Sequence, residues 1–246
     1  AMLAHREHLL AGLGGGPDPR VCEGRILRSC MHRHRADLDE AQRWIARAER
    51  SATKNGWRGL LGRALMEHGY LCSQRGQMEE SRTRFAGALA LFEEDDDSEA
   101  MADAMLGLGG VAYRQGDTDA AEAWYVDAHD RFEVAGVEPG VARACRGLAE
   151  VAQSRGAYVD ALALYRRAMD LHEHHGNRFL WLTTLNGVAE LERLQGRFAE
   201  AEAEYRRILV TLEAMGSLEV NVIRINIALT RLGARDFAVA QGMFAQ

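Results

Sequence analysis

The sequence has few prolines, almost no lysine and no long apolar run, and these shortages limit the kinds of protein that it can be. Only three prolines occur in 246 residues, which leaves room for many uninterrupted helices because proline breaks a helix interior. No apolar stretch approaches the roughly 20 residues of a membrane-spanning helix, and the first residues lack the apolar core of a secretory signal. We therefore expect a cytoplasmic protein with no membrane partner.

Positive charge is also in short supply. The formal net charge is −6, whereas a protein that binds nucleic acid normally carries a basic face. Arginine provides nearly all the cations, since Lys54 is the only lysine, and this bias indicates a GC-rich, bacterial genome. Nucleic acid is therefore not expected as a partner.

Cysteine is sparse and scattered. The four cysteines show no CxxC spacing of the kind that indicates a zinc or redox motif. In a chain of this length we interpret them as reduced and mostly buried apolar side chains. They are Cys22, Cys30, Cys72 and Cys145.

Glycine, in contrast, recurs at a fixed spacing that reveals an internal repeat. Two ladders step by 40 residues, and glycine favours the left-handed conformation that ends helices. The first ladder consists of Gly76, Gly116, Gly156 and Gly196, with Ala36 one step earlier and a step one residue short near Asp236. The second consists of Gly56, Gly136, Gly176 and Gly216, with Asp96 in the missing position. Two stops per repeat predict two helices of roughly 14–18 residues each, and hence an all-α fold.

Aligned repeats show columns of small and large residues that predict how the helices pack. Small residues let two helix backbones approach closely, and a large residue four positions later fills the space beside the next hairpin. The small column of the first helix is Ser29, Gly69, Gly109, Ala149, Ala189 and Ala228. That of the second helix is Ala41, Ser81, Ala121, Ala161, Ala201 and Ala240. The large column is Ile45, Phe85, Tyr125, Tyr165, Tyr205 and Phe244.

These columns, the Gly116-Asp117 turn and the spacing of Ala161, Tyr165 and Ala168 resemble the tetratricopeptide repeat. The resemblance covers residues 21–246 and implies a right-handed α-α superhelix, or solenoid, of about six hairpins. It looks like the longer-repeat variant of kinesin light chains and of bacterial signalling and sensor proteins. The expected repeats are residues 21–59, 60–99, 100–139, 140–179, 180–217 and 218–246, the last one truncated.

The family resemblance also implies a binding surface. In such arrays the first helices line a concave groove that takes a peptide or a protein segment. Asn186 and Asn226 resemble the asparagines with which related arrays bind a peptide backbone, whereas Arg28 and His68 replace the usual leucine and mark the first repeat as weak or as a cap. The expected groove residues are Met66, Tyr70, Leu106, Tyr113, Arg143, Arg146, Glu150, Asn186, Glu190, Arg193 and Asn226. Self-association and the sensing of a small effector remain alternatives.

Three local motifs could suggest chemistry, and we interpret each one structurally. His172 and His175 have tolerable metal-ligand spacing, but they precede the Gly176 stop and predict a solvated helix end. The acidic run 93–97 lacks the spacing of a calcium loop and predicts a solvated connection. The glycines of residues 107–110 belong to the small column and predict helix packing. We therefore expect a protein that is not an enzyme and needs no metal or cofactor.

The two ends of the chain are less regular. Residues 1–20 predict a short helical arm followed by a Gly/Pro linker. The helix that starts near Asp236 is expected to extend beyond Gln246 by analogy with earlier repeats. This truncation favours a piece of a larger regulatory protein, with an attached kinase or transcription-activator domain as an alternative reading of its role.

Overall fold

The computed structural model describes residues 17–217 and 220–236, and within these ranges it contains eleven helices and no strand. The helices are α1 Pro19–His34, α2 Leu38–Asn55, α3 Arg58–Gln74, α4 Met78–Glu94, α5 Ser98–Arg114, α6 Thr118–Ala135, α7 Glu138–Ser154, α8 Tyr158–His174, α9 Arg178–Leu194, α10 Phe198–Ala214 and α11 Val220–Gly233. Their lengths, from 14 to 18 residues, confirm the prediction. In the described ranges, no helix has the combination of length and apolar character needed to cross a membrane.

The first described helix begins inside the segment that we expected to be a linker. Asp18 caps α1 by accepting a hydrogen bond of 2.9 Å from the Arg20 backbone N–H. Pro19 occupies the first helical position, where its missing N–H and fixed φ are tolerated. The linker therefore ends earlier than expected, and the predicted helical arm lies outside the described residues.

Helix ends follow the two ladders, as predicted. Every ladder glycine has a positive φ, for example 83° at Gly116 and 67° at Gly136. Where the ladder lacks glycine, Ala36, Asp96 and Arg235 adopt the same left-handed conformation at φ 58°, 54° and 63°. The last of these falls one residue short of the regular step, in agreement with the deletion seen in the sequence.

The predicted columns form the contacts within each hairpin. All described members of the small columns are buried, and so is the large column from Ile45 to Tyr205. At Gly109, an added Cβ would lie 2.6 Å from Cε1 of Tyr125, so only glycine allows this approach. Ala240 and Phe244, the last members of their columns, lie outside the described residues.

The chain divides into two compact units, one ending at Gly136 and the other beginning at Val137. In each unit every helix packs against the next, so that hairpins stack side by side. First helices of successive hairpins also contact one another, α1 with α3 and α3 with α5 in the first unit, α7 with α9 and α9 with α11 in the second. The predicted fold class, an all-α solenoid of stacked helical hairpins, is confirmed within each unit.

Candidate functional site

The second unit contains a cavity of about 430 Å³ that is open to solvent. Its walls come mainly from the first helices α7, α9 and α11, and its floor from α8 and α10. The lining residues are Arg146, Glu150, Gln153, Tyr165, Leu182, Thr183, Asn186, Gly187, Glu190, Ile208, Leu212, Val222 and Ile223. The row of first helices thus forms a recessed surface in this unit.

Four of the predicted groove residues lie together in this cavity. Arg146 and Asn186 occupy the same repeat position on α7 and α9, and Glu150 and Glu190 follow one helical turn later. This geometry follows from the 40-residue step combined with the i, i+4 spacing of a helix face.

Three other predicted residues of the second unit do not line the cavity, but two of them contact residues that do. Asn226 donates a hydrogen bond of 3.0 Å from Nδ2 to Asn186 Oδ1. Arg193 donates from Nε to Glu190 Oε2 at 2.8 Å. Arg143 does not line the cavity, although its charge affects the pKa of His172.

The charges on the cavity wall are arranged in pairs. Arg146 forms an ion pair with Glu150, and Glu190 forms one with Arg193. Glu190 also accepts a hydrogen bond of 2.9 Å from the Tyr205 hydroxyl. Hydrogen bonding to Glu190 raises the pKa of Arg193, while burial and Glu190 raise the pKa of Tyr205. These pairs give a polar wall with no large net charge.

Apolar side chains form the opposite part of the site. Leu182, Ile208 and Leu212 are buried beneath the cavity. Val222 lies in the wall with 54% of its surface exposed, and it begins a stripe of exposed apolar residues on α11. We call this set the α11 stripe: Val222, Ile225, Leu229 and Leu232. Spacings of three and four residues place its members on one helix face.

Sequence reasoning missed part of this site. Gln153 and Thr183 line the cavity. The 40-residue step could have found them, because they occupy the same repeat positions as the predicted groove residues Arg193 and Arg143, respectively. Ile208 and Leu212 come from a second helix. No signal of the first-helix columns points to these two floor residues.

In the first unit, one predicted groove residue is misplaced. Met66 is buried, with only 8% of its surface exposed. Both α1 and α5 contact α3, so the flexible side chain at this position is covered between neighbouring helices. Tyr70, Leu106 and Tyr113 are half-buried on α3 and α5.

A largely buried ion pair beside Tyr70 was also missed. Arg33 donates to both carboxylate oxygens of Glu67, at 2.9 and 3.1 Å, and its guanidinium lies 5.4 Å from the centre of the Tyr70 ring. Tyr70 in turn packs edge-on against Phe85, with ring centres 5.0 Å apart. Burial acts to lower the pKa of Arg33, but Glu67 more than offsets this effect and raises it.

The histidine cluster at the end of α8 is only partly solvated, so that prediction is wrong for one member. His174 and His175 are exposed, and His175 Nε2 lies 2.8 Å from Glu138 Oε2. His172 is buried, with 1% exposed. Burial, together with the charges of Arg146 and Arg143, lowers its pKa to about 4. The cause is position, because His172 takes the place of Phe132 one step earlier, on the core face of its helix.

The other two motifs follow their structural interpretations. The acidic run 93–97 is exposed at the end of α4 and the following turn, where Asp97 caps α5 by accepting from the Ala100 N–H at 3.0 Å. Arg58 forms ion pairs with Glu94 and Asp95. Gly107 and Gly109 are buried within α5, as expected for packing positions.

Comparison with known proteins identifies the repeat. The tetratricopeptide repeat family matches residues 60–133 and residues 141–175. No match was found among curated protein sequences.

Solved structures share the fold at low sequence identity. BtubC (BKLC) from P. vanneervenii is 19% identical with a TM-score of 0.64, over 84% of this chain and 86% of its own. A protein of Podosopora anserina described as a kinesin light chain with nearly identical TPR-like repeats is 14% identical with a TM-score of 0.55, over 74% and 91%. A Rap protein in complex with competence and sporulation factor is 12% identical with a TM-score of 0.80, over 99% and 68%.

These likenesses agree with the architecture described above. Two matched segments lie in different units, and both units repeat the same hairpin with the same left-handed helix ends. Residues 60–133 and 141–175 are tetratricopeptide repeats, and the other described hairpins share their helical-hairpin architecture.

Proposed function

We propose that the chain is a non-enzymatic interaction module that binds a segment of a partner protein in the cavity of the second unit. The observation that carries this proposal is the composition of the cavity. Polar residues of α7 and α9 and an apolar floor line the same cavity. Val222, which also lines it, begins the α11 stripe. Such a surface suits a segment that presents apolar side chains on one side and backbone polar groups on the other.

The polar row supports recognition of a peptide backbone. The bond from Asn226 uses the side-chain oxygen of Asn186 and so fixes the orientation of its amide. Because the oxygen accepts this bond, the side-chain N–H groups are the donors that Asn186 can offer to a ligand in the cavity it lines. A carbonyl oxygen of an extended peptide is a suitable acceptor for such a donor.

The paired charges support binding without net-charge selection. Arg146 with Glu150 and Glu190 with Arg193 neutralise one another, so the site does not favour a strongly acidic or basic segment. We therefore expect the affinity to come mainly from burial of apolar side chains.

The fold comparison supports a partner of this kind. The Rap protein structure with a TM-score of 0.80 is a complex with competence and sporulation factor, so this architecture accommodates a bound partner elsewhere. The resemblance to sensor regions favours a role inside a bacterial signalling or regulatory protein.

The experiment selects displayed random peptides on the full chain and measures the enriched peptides by calorimetry. Asn186→Ala and Arg146→Ala are expected to weaken binding at least fivefold, because each removes a wall group. Asn221→Ala and Arg166→Ala, which change exposed residues that do not line the cavity, are the matched controls. Binding that is equally strong in the wall variants and in the controls would reject the site.

Self-association is the second candidate, and the α11 stripe favours it, since exposed apolar stripes also form interfaces between copies. Light scattering over a dilution series decides between the two. A mass that falls on dilution, and that becomes monomeric in Leu229→Glu, supports self-association. A constant monomeric mass would mean that the stripe binds a different protein and not a second copy.

A further inference from the structure

A cluster of ligand-type side chains lies in the first unit, whereas the cavity belongs to the second. His68 and Cys72 are four residues apart on α3, and Glu80 comes from the following helix, α4. One ligand atom from each residue lies within 4.8 Å of those of the other two. His68 and Cys72 are buried at 4% and 1% exposure, whereas the Glu80 side chain is 42% exposed.

The surroundings of His68 hold its ring in one orientation. Nδ1 lies 2.7 Å from Glu49 Oε1, and Nε2 lies 3.1 Å from the side-chain nitrogen of Gln42. A donor at Nδ1 and an acceptor at Nε2 satisfy both contacts. A carboxylate that accepts from one ring nitrogen while the other carries the lone pair is the usual setting of a metal-binding histidine.

The next two repeats carry apolar residues at the positions of His68 and Cys72. Leu108 and Leu148 occupy the position of His68 one and two steps later, and Ala112 and Ala152 occupy that of Cys72. Burying an imidazole where the fold accepts leucine is unfavourable unless its polar atoms find partners. Two ligand-type residues therefore replace apolar ones on the same helix turn.

We propose that His68, Cys72 and Glu80 bind a zinc ion, with Glu49 as the residue that positions His68. Imidazole nitrogen, thiolate sulfur and carboxylate oxygen are the three ligand types of protein zinc sites. Water completes the tetrahedron from the exposed Glu80 side. Binding replaces the Gln42 contact at Nε2 and draws the three side chains together.

The proton and charge balance of the site is consistent with a divalent cation. Cys72 binds zinc as a thiolate, and formation of the sulfur–zinc bond releases the thiol proton to solvent. Arg84 lies 3.1 Å from Glu80 and 3.7 Å from Glu49, so the thiolate, two carboxylates and one guanidinium leave two negative charges for the ion to neutralise.

The test uses cobalt(II), which reports tetrahedral coordination by visible d–d bands and sulfur ligation by a near-ultraviolet charge-transfer band. Titration of the metal-free full chain is expected to give a thiolate-to-cobalt charge-transfer band that saturates at one ion per chain and is displaced by zinc. The double variant His68→Leu, Cys72→Ala restores the residues of the later repeats, so we expect it to fold and to lose the band. Cys145→Ser, at a buried cysteine of the second unit, keeps it.

A second readout separates ligation from mere packing. Glu49→Gln is expected to weaken zinc binding by about 10- to 100-fold, the usual effect of removing such a supporting carboxylate. Zinc should raise the melting temperature of the wild type but not of the folded double variant. The proposal is overturned if the wild type gives no charge-transfer band, or if the double variant retains it. Neither result bears on peptide binding in the second unit.

Discussion

Asn226 and Asn186, one 40-residue step apart, are joined by a hydrogen bond of 3.0 Å between their side-chain amides. Only Asn186 lines the cavity, so the bond connects α11 to the wall formed by α9. If the cavity binds a peptide as proposed, we expect Asn226 to act on it through the orientation of Asn186. Both residues were expected to touch a ligand directly, and the structure assigns them different positions.

Replacing Asn226 tests this indirect role. Asn226→Ala removes the donor that orients the Asn186 amide, at a cost of about 1 kcal/mol, or roughly fivefold in peptide affinity. Asn221→Ala, on the same helix but exposed, should leave affinity unchanged. Calorimetry with a peptide selected on the wild type gives both values. Equal affinities in the two variants would show that the bond does not orient the site.

The contact between Gly109 and Tyr125 leads to a prediction about stability. A methyl group on Gly109 would lie 2.6 Å from the ring, so Gly109→Ala should destabilise the protein by about 1–3 kcal/mol through overpacking. Gly24→Ala in α1, where nothing lies within 4 Å, should instead stabilise it by about 0.5–1 kcal/mol through helix propensity. Urea unfolding measures both changes. A stabilised Gly109→Ala would contradict the packing described here.

The left-handed helix ends predict that a change from alanine to glycine has opposite effects on stability at two positions. Ala36 has a φ of 58°, and an L-residue pays about 1 kcal/mol for this conformation, so Ala36→Gly should stabilise the first unit. Ala46→Gly, inside α2, should destabilise it by about 0.5–1 kcal/mol. Melting temperatures of the two variants should therefore move in opposite directions. A loss of stability in both would mean that the turn does not strain Ala36.

Much of the architecture could be predicted because it is periodic. Each step has a left-handed residue at the helix end and a small residue that packs against a large one. These features recur often enough to be predicted without a structure. The same step places Arg146 and Asn186 on one wall of the cavity. It could also have identified Gln153 and Thr183, which the sequence analysis did not name.

What could not be predicted depends on contacts between different helices. Ile208 and Leu212 reach the cavity from a second helix, and the pair of Arg33 with Glu67 joins residues 34 positions apart, which is not the repeat spacing. Met66 has the expected repeat position but is covered by neighbouring helices. Burial of an individual side chain depends on what surrounds it, and the repeat pattern does not specify that.

His172 provides a prediction about pH. Its pKa falls from 6.5 to about 4 on folding, so below pH 6.5 the unfolded chain binds a proton that the folded protein does not. Its contribution to stability is therefore complete above pH 6.5 and is lost as the pH falls toward 4, by up to about 3 kcal/mol. His172→Leu, which copies the buried Leu212 one step later, should remove this part of the pH dependence. Urea unfolding at pH 7 and pH 4.5 measures the difference, and the wild type should lose more stability than the variant between these two values. If both proteins lose the same amount, His172 is not held neutral by its surroundings, and its burial among the charges of Arg143 and Arg146 would need another explanation.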